Sequence, residues 1–343
     1  MQQLSETKRL TSTLKRILLT LALAFTVHLL FLLQTVENQY FESANPEVTN
    51  DLAPSRTCST ALVTIVTSYY RLGDRSKHSD AEYKVWTRNF FKLNDAMVVF
   101  TDAQTFSYLR TLRPSKDSCA IFIIQNLNET YTAGLTSWSR QLKLDPEAGI
   151  HYPELYIIWN QKSDWLHTVA QKNPFKSTHF FWADSGQFRS QSFTTSAWIR
   201  SFTTSAWIRY TDFIPSGKIL VLCIEHFKDH EIVLDSTGKV FFRDSTVSRL
   251  GGGTFGGDTD SVERWRELFY RKLQEYLKAD IFAGKDQMIM ASICIEHSDL
   301  CWMVDGDKVL EADNVWFALQ PILAGKTQQI PIYIPHASFS TPV

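Results

Sequence analysis

Three polar residues that end apolar runs are the first candidates for a binding site. Thr67, Asp102 and Asp184 each close a short run of mostly apolar residues. Carboxylate and hydroxyl oxygens in such positions can bind a divalent cation or take part in proton transfer. Thr and Asp also cap helices and form turns, so a purely structural role stays open for each residue. The presence of three in one chain favours a polar crevice.

Two further aspartates stand where helical sequence begins. Asp258 ends the stretch 251–258, in which five of eight residues are glycine. Glycine lets the backbone approach a ligand closely, and an acid at a helix entrance complements the helix dipole. No Gly-Lys-Ser/Thr follows these glycines, which excludes a Walker phosphate loop. Asp286 and Gln287 begin another predicted helix. Either aspartate could act in catalysis or simply stabilise a first helical turn.

Strands and helices alternate in the sequence that must position these side chains. The predicted strands cover residues 61–67, 96–102, 119–124, 155–159, 179–184 and 218–224. These runs are short and almost continuously apolar, and helix-like segments such as 80–93 separate them. This pattern predicts an α/β fold with a mainly parallel sheet flanked by helices. Ligands of such sheets bind at the carboxyl ends of the strands, where the polar residues stand.

The overall charge argues against a nucleic-acid partner. The 343 residues include 35 basic and 36 acidic side chains, for a formal net charge of −1. No basic stripe provides the electrostatic attraction that a polynucleotide needs. An apolar content of 44% is enough for a substantial core.

The N-terminal sequence predicts a membrane anchor. Residues 17–33 contain no Asp, Glu, Lys or Arg, and four basic residues precede them. This apolar run is longer than the core of a usual cleaved signal peptide. We therefore predict a cytosolic tail (1–16), a transmembrane signal anchor (17–33), a stem (34–56) and a luminal domain (57–343). A span of this length suits the thinner membranes of the endoplasmic reticulum or Golgi.

Three further sequence features bear on a luminal domain. The five cysteines all follow the predicted anchor, so we expect one or two disulfides and a leftover thiol, with the pairing left open. Asn128-Glu129-Thr130 is a glycosylation sequon. Residues 192–200 are repeated identically at 201–209. The repeat predicts an extra loop or a lengthened helix and implies no function.

Six segments of the sequence form an ordered set, namely 64–70, the helix around Tyr83–Phe90, 97–102, 181–186, 252–257 and 285–287. This set resembles the HtrL/YibB family, a group of glycosyltransferase-like proteins. The six segments extend over nearly the whole domain from about Ala61 onward and are together more specific than any single motif. The resemblance implies a GT-A type nucleotide-sugar fold.

The resemblance also implies a donor site. Asp184-Ser185-Gly186 looks like a variant of the Asp-x-Asp signature by which GT-A enzymes hold Mn²⁺ or Mg²⁺ against the donor diphosphate. Gly186 stands where the second Asp is expected, so either Asp184 works with another ligand or metal dependence is reduced. The resemblance suggests His336 as that ligand. Lys162 falls about where related enzymes place a base against the diphosphate, for which a lysine acts as a point charge.

Two candidates for the catalytic residue imply different stereochemistry. The stretch containing Gly256 and Gly257 resembles an acceptor-side loop that precedes a catalytic acid, which would make Asp258 a general base in an inverting reaction. Asp286-Gln287 resembles an element near the anomeric carbon in retaining transferases. Asp286 is the favoured residue.

These expectations define a function and one alternative. We expect a type II membrane glycosyltransferase that moves a sugar from a nucleotide-sugar donor to a glycan, lipid or protein acceptor. The predicted nucleotide-sugar-binding residues are Thr67, Asp102, Lys162, Asp184, Gly186, Gly256, Gly257 and Gln287. The alternative, motivated by the missing second Asp, is a non-catalytic carbohydrate-binding protein on the same fold. A hydrolase lacks support because no Gly-x-Ser-x-Gly sequence is present.

Overall fold

A sheet of eight strands forms the centre of the structure. The computed structural model describes residues 61–73, 78–113, 119–189, 205–242 and 245–335. The strands within these ranges are β1 (Val63–Ser68), β2 (Ala96–Thr101), β3 (Ala120–Ile124), β4 (His179–Ala183), β5 (Ile219–Cys223), β6 (Ile232–Leu234), β7 (Val240–Phe242), β8 (Leu250–Gly257), β9 (Cys301–Asp305) and β10 (Ile332–Tyr333). β6 and β7 pair with each other in a separate small sheet.

The large sheet is mainly parallel. Its strand order is β10-β9-β5-β8-β4-β1-β2-β3. β1 pairs in parallel with β2 and β4, β2 with β3, and β5 with β9. β8 runs antiparallel to β4 and β5, and β10 runs antiparallel to β9. The predicted α/β fold with a mainly parallel central sheet is therefore confirmed.

Helices pack against this sheet. They are α1 (Asp80–Phe90), α2 (Ala103–Leu112), α3 (Trp138–Leu142), α4 (Pro153–Lys172), α5 (Thr259–Lys278), α6 (Asp286–Glu296) and α7 (Leu319–Leu323). α5 shows why these segments are helical: Val262, Trp265, Phe269 and Leu273 recur every three or four residues and are all buried. α4 packs on α5 and on β4, so it lies directly against the sheet.

The structure corrects the prediction of a strand over 155–159. These residues belong to α4, which begins with Pro153 at its first position. A short apolar run cannot by itself distinguish a buried strand from one turn of a buried helix. Proline at the first helical position is the signal that favours the helix here.

The glycine-rich stretch is a strand rather than a loop. Residues 250–257 form β8, whose glycines let its neighbours approach closely. A Cβ atom on Gly256 would lie 2.1 Å from the carbonyl oxygen of Phe180, and one on Gly257 would lie 2.4 Å from that of Lys218. Gly256 and Gly257 are thus packing positions between strands.

The cysteines form the expected combination of disulfides and a free thiol. A disulfide joins Cys294 at the end of α6 to Cys301 at the start of β9, and Cys119 is also disulfide-bonded. Cys223 is a buried free thiol, and burial raises the pKa of its thiol to about 12.

Part of the tandem repeat contributes to the core. Trp207 and Ile208, in the second copy, are buried, and their backbone N–H groups donate to the carboxylate of buried Asp95. The described residues 205–209 are not helical. The first copy lies outside the described residues.

The N-terminal segments lie outside the described residues. This applies to the predicted tail (1–16), the predicted anchor (17–33) and the predicted stem (34–56). Within the described ranges, every helix is too short or too polar to cross a membrane.

Candidate functional site

A pocket of about 560 Å³ opens at the carboxyl ends of β1 and β4. Its wall includes the segment after β1, one side of α1, one side of α4, the turn after β4, the start of β8 and the start of α6. The antiparallel direction of β8 brings its first residues, rather than its last, to this edge of the sheet. The pocket therefore lies where open α/β sheets bind ligands.

Lys162 lies at the centre of the polar cluster in this pocket. Its Nζ atom is 2.9 Å from Asp286 Oδ2 and 3.3 Å from Asp184 Oδ1, and it donates to the carbonyl oxygen of Gly252 at 2.8 Å. The side chain of Lys162 is only 4% exposed, and that of Asp286 only 6%. Lys162 reaches this position from the middle of α4.

The protonation states of this cluster follow from burial and pairing. Burial acts to lower the pKa of Lys162, but the carboxylates of Asp184 and Asp286 outweigh it and raise that pKa above its usual value. Burial raises the pKa of Asp286, while the Lys162 ammonium opposes the rise. Lys162 thus remains charged at neutral pH and favours the ionised form of Asp286.

Asp184 is fixed at the rim by its neighbours. Its backbone N–H donates to the carbonyl oxygen of Gly253, and its Oδ1 accepts from Trp182 Nε1 at 2.8 Å. The next residue, Ser185, donates its hydroxyl to the carbonyl oxygen of Ser68 at the end of β1. The Asp184 side chain nevertheless remains 41% exposed, so it presents a positioned carboxylate to the pocket.

Gly252 lies tightly against Asp286. A Cβ atom on Gly252 would lie 2.6 Å from Asp286 Oδ2, so any side chain here would force the Asp286 carboxylate to shift. Gln287, the next residue of α6, donates to the carbonyl oxygen of Leu250 and accepts from Ser248. The start of β8 and the start of α6 therefore form one connected unit.

Aromatic rings support the polar cluster and line the pocket. Trp182 stacks on Trp165, and Trp165 stacks on Tyr70, with ring centroids 5.9 and 6.0 Å apart. Trp159 and Trp316 also line the pocket, and Trp316 is 45% exposed. Exposed indole faces suit the stacking of bases and sugar rings.

The structure brings together five of the predicted site residues. Lys162, Asp184, Gly186, Asp286 and Gln287 all line the pocket. Sequence reasoning placed Lys162 after a strand, whereas it belongs to the middle of α4. Its place in the pocket depends on how α4 packs.

Other predicted residues lie elsewhere. Asp258 caps α5, where its carboxylate accepts from the backbone N–H groups of Ser261 and Gly217. It lies at the opposite edge of the sheet because it follows the last residue of β8, beyond Gly256 and Gly257. The predicted catalytic role of Asp258 and the predicted binding roles of these two glycines therefore have no geometric support.

Thr67 and Asp102 lie near the carboxyl edge of the sheet, where the pocket opens, but they do not line the pocket. The side chain of Thr67 is completely buried within β1. Asp102 caps α2 by accepting from the backbone N–H of Thr105 at 2.6 Å. Packing thus accounts for Thr67, and helix capping accounts for Asp102. His336 lies outside the described residues.

Several pocket residues were not predicted. They include Trp182, Arg189, Gly252, Lys285 and Trp316. Trp182 precedes Asp184 by two positions, and Lys285 precedes Asp286 directly, so proximity to the predicted aspartates was a usable signal for these two. Trp316 is far away in the sequence and carried no local signal.

Asp184 is the residue that fits a divalent cation. Its Oδ2 makes no hydrogen bond within the described part of the chain, whereas Asp286 is held by Lys162. Mg²⁺ commonly binds one or two protein carboxylates together with substrate phosphates and water. One exposed carboxylate is compatible with that mode.

A second cluster of possible metal ligands is an internal hydrogen-bond network. Potential ligand atoms of Asp145, Glu147 and His151 lie within 4.8 Å of one another. Asp145 Oδ2 accepts from the Tyr156 hydroxyl at 2.5 Å and is 2.7 Å from His151 Nδ1. Glu147 is paired with Lys285. These contacts fix the segment before α4 beside the pocket.

The fold and the site define an α/β protein with a polar ligand pocket at the carboxyl edge of its sheet. The chain belongs to the HtrL/YibB family, whose model, described as "Bacterial protein of unknown function (HtrL_YibB)", matches residues 61–312. No curated protein matches the chain.

Three solved structures show weak similarity to the chain. Mouse xyloside xylosyltransferase 1, in its apo form, is 12% identical with a TM-score of 0.41, covering 82% of this chain and 99% of the other. The 4-diphosphocytidyl-2C-methyl-D-erythritol synthase of Anaerococcus prevotii is 11% identical with a TM-score of 0.30, covering 73% and 90%. The PaToxG glycosyltransferase is 11% identical with a TM-score of 0.28, covering 86% and 87%. At these TM-scores the likenesses assign no function to this chain.

Proposed function

We propose that this protein is a glycosyltransferase that uses a nucleotide-sugar donor and a glycan, lipid or protein acceptor. The observation that carries the proposal is the placement of Lys162 between Asp184 and Asp286 in an aromatic-lined pocket. A protein of this kind must hold a diphosphate, a sugar and an acceptor together. The pocket combines a buried cation, an exposed carboxylate, a buried carboxylate and exposed rings.

The donor diphosphate is proposed to lie near Asp184. A nucleoside diphosphate leaves with increasing negative charge, which positive groups stabilise. A divalent cation on Asp184 would supply such charge when bound. Lys162 holds Asp184 through its contact with Oδ1, while the other carboxylate oxygen makes no hydrogen bond within the described residues.

Asp286 is proposed to face the reacting carbon of the sugar. Loss of the diphosphate leaves positive charge on the sugar ring, as in glycoside hydrolysis, and an ionised carboxylate stabilises it. Burial raises the pKa of Asp286, and the Lys162 ammonium acts against that rise and so favours the ionised form. Because Asp258 lies at the other edge of the sheet, Asp286 is the better candidate, and retention of configuration is the proposed outcome.

The predicted topology is part of the proposal. A type II orientation with residues 17–33 as the anchor would place the domain in the lumen of the Golgi or endoplasmic reticulum. The disulfide between Cys294 and Cys301 is consistent with an oxidising compartment. Asn128 of the sequon is exposed and would be accessible for glycosylation there.

Calorimetric titration of the purified full-length chain tests the proposed donor site. UDP, GDP and CMP are titrated with Mn²⁺ and with EDTA into the wild type, Asp184→Asn and Asp280→Asn. Asp280 is an exposed control aspartate that pairs with Arg140. We expect one nucleotide to bind, with at least tenfold weaker binding to Asp184→Asn and none of this loss in Asp280→Asn.

The titration separates the proposed enzyme from the carbohydrate-binding alternative. Absence of binding for every nucleotide, by a chain that unfolds cooperatively, would contradict a nucleotide-sugar transferase. Binding of glycans by that same chain would then favour the non-catalytic alternative. If a nucleotide binds, NMR of the product anomer with the matching donor determines whether configuration is retained.

A further inference from the structure

The basic side chains of the pocket differ in how they are neutralised. Four lysines and arginines line it, namely Arg71, Lys162, Arg189 and Lys285. Three of them lie against pocket carboxylates: Arg71 against Asp80, Lys162 against Asp184 and Asp286, and Lys285 against Glu147. Within the described part of the chain, Arg189 forms no ion pair with a carboxylate. Among these described residues, Arg189 therefore has no carboxylate in direct contact, although its charge adds to the Ser79 hydrogen bonds in lowering the pKa of the Glu82 carboxyl.

Arg189 is nevertheless held in place. Its guanidinium carbon lies 4.4 Å from the ring centroid of Trp86 and 5.4 Å from that of Phe317. Its Nε donates to the carbonyl oxygen of Gly186 at 3.3 Å. These contacts place two aromatic rings beside the guanidinium and use its Nε, and they leave its other N–H groups able to bind an anion.

Arg189 is hydrogen-bonded to the turn that contains Asp184. Gly186 follows Asp184 by two residues, and the same glycine accepts the hydrogen bond from Arg189. Gly186 has no side chain that could add a carboxylate at this point of the turn. The turn thus presents one carboxylate at Asp184 and one fixed positive charge beside Gly186.

We propose that Arg189 binds the diphosphate of the donor, directly and without requiring a metal ion. The ligand chemistry is that of a phosphate anion, which the planar guanidinium can contact with two parallel hydrogen bonds. This inference rests on the proposed donor site and adds a residue to it. Arg189 supplies a positive charge that is present whether or not a cation occupies Asp184.

The test is calorimetry on the full-length chain with inorganic pyrophosphate and with UDP, GDP and CMP, all in EDTA. The variants are Arg189→Gln, Arg189→Lys and the control Arg110→Gln. Arg110 also lies over an aromatic ring, that of Phe106, but outside the pocket. Thermal unfolding of each variant shows that it is folded.

Arg189→Gln is expected to weaken pyrophosphate and nucleoside diphosphate binding by roughly 10- to 100-fold, the effect of losing charged hydrogen bonds. Arg189→Lys is expected to fall between this variant and the wild type, because lysine keeps the charge but loses the planar fork. Arg110→Gln is expected to bind as the wild type does.

The outcomes separate this inference from the proposed function. If the wild type binds a nucleoside diphosphate and Arg189→Gln binds it equally well, the role of Arg189 is refuted and the donor site stands. If the wild type binds pyrophosphate in EDTA but no nucleotide in EDTA or in Mn²⁺, and Arg189→Gln loses pyrophosphate, the proposed function fails while the anion site stands. A folded wild type that binds neither in EDTA refutes metal-independent binding by Arg189, and the titration in Mn²⁺ then decides whether the donor site stands.

Discussion

Replacing Lys162 with methionine would remove the charge at the centre of the pocket while keeping most of the side-chain volume. In the wild type, the Lys162 ammonium contacts Asp286 at 2.9 Å, Asp184 at 3.3 Å and the Gly252 carbonyl at 2.8 Å. The substitution leaves Asp286 buried without its cation. Breaking a buried ion pair from one side costs about 3–5 kcal/mol of unfolding free energy.

The destabilisation is expected to depend on pH. Burial already raises the pKa of Asp286, and loss of Lys162 removes the effect that opposes the rise. The folded variant therefore holds a proton on Asp286 at pH values where the unfolded chain has lost it. Its unfolding free energy is greatest below the unfolded pKa and falls as pH rises through the folded pKa. The cost of Lys162→Met should thus be larger at pH 8 than at pH 5.

A double-mutant cycle measured by urea unfolding provides the assay. It compares the wild type, Lys162→Met, Asp286→Asn and the double variant. Asp286→Asn leaves Lys162 paired with Asp184, so its cost should be smaller. Because the neutral amide introduced by Asp286→Asn does not need a cation, the double variant should be more stable than the sum of the single effects predicts, by about 1–3 kcal/mol.

Lys228→Met provides the matched control. Lys228 pairs with Glu225 at 3.1 Å, but both side chains are more than half exposed, so its loss should have little effect on stability. Single effects that add within about 0.5 kcal/mol would refute coupling between Lys162 and Asp286. A cost of Lys162→Met that is the same at pH 5 and pH 8 would refute the account of Asp286 protonation.

Three further predictions test the structure around the site. Burial raises the pKa of Asp95 to about 6; the unfolding free energy of the protein should therefore fall by roughly 3 kcal/mol between about pH 4 and pH 6. Urea unfolding at each pH should show this fall in the wild type relative to Asp95→Asn, and parallel profiles for the two proteins would contradict it. Gly252→Ala would place a Cβ 2.6 Å from Asp286 Oδ2, whereas a Cβ on Gly149 meets nothing within 4 Å. Calorimetry should show nucleotide binding at least tenfold weaker for Gly252→Ala and unchanged for Gly149→Ala; equal binding by both would show that Asp286 moves aside without consequence. Asp258→Ala should lower stability by about 1 kcal/mol through loss of the α5 cap and leave nucleotide affinity unchanged; a clear loss of affinity would return Asp258 to the binding site.

The sequence alone predicted the local elements that carry the site. Continuous apolar runs predicted β1, β2, β3, β4 and β5 to within two residues at each end. Asp184 was predicted at the end of β4 and Asp286 at the start of a helix, and both line the pocket. These predictions succeeded because hydrophobic periodicity and capping residues act over a few neighbouring positions.

The direction and packing of the elements required the tertiary structure. No local sequence pattern predicts that β8 runs antiparallel to β4. This direction places Gly252 beside Asp286, and it places Asp258 at the opposite edge of the sheet. A sequence motif gives the order of these residues without saying which end of the strand meets the site. Strand pairing is decided by contacts between residues far apart in the chain.

Lys162 and Arg189 show the same division between sequence and structure. The sequence identified Lys162 as a possible diphosphate ligand but placed it after a strand, whereas the packing of α4 buries it between two carboxylates. Arg189 became a candidate only when the fold brought the rings of Trp86 and Phe317 next to its guanidinium. Residue types and local periodicity therefore determined which groups the chain has for chemistry. Long-range packing decided which of those groups meet, because burial and charge pairing depend on the whole fold.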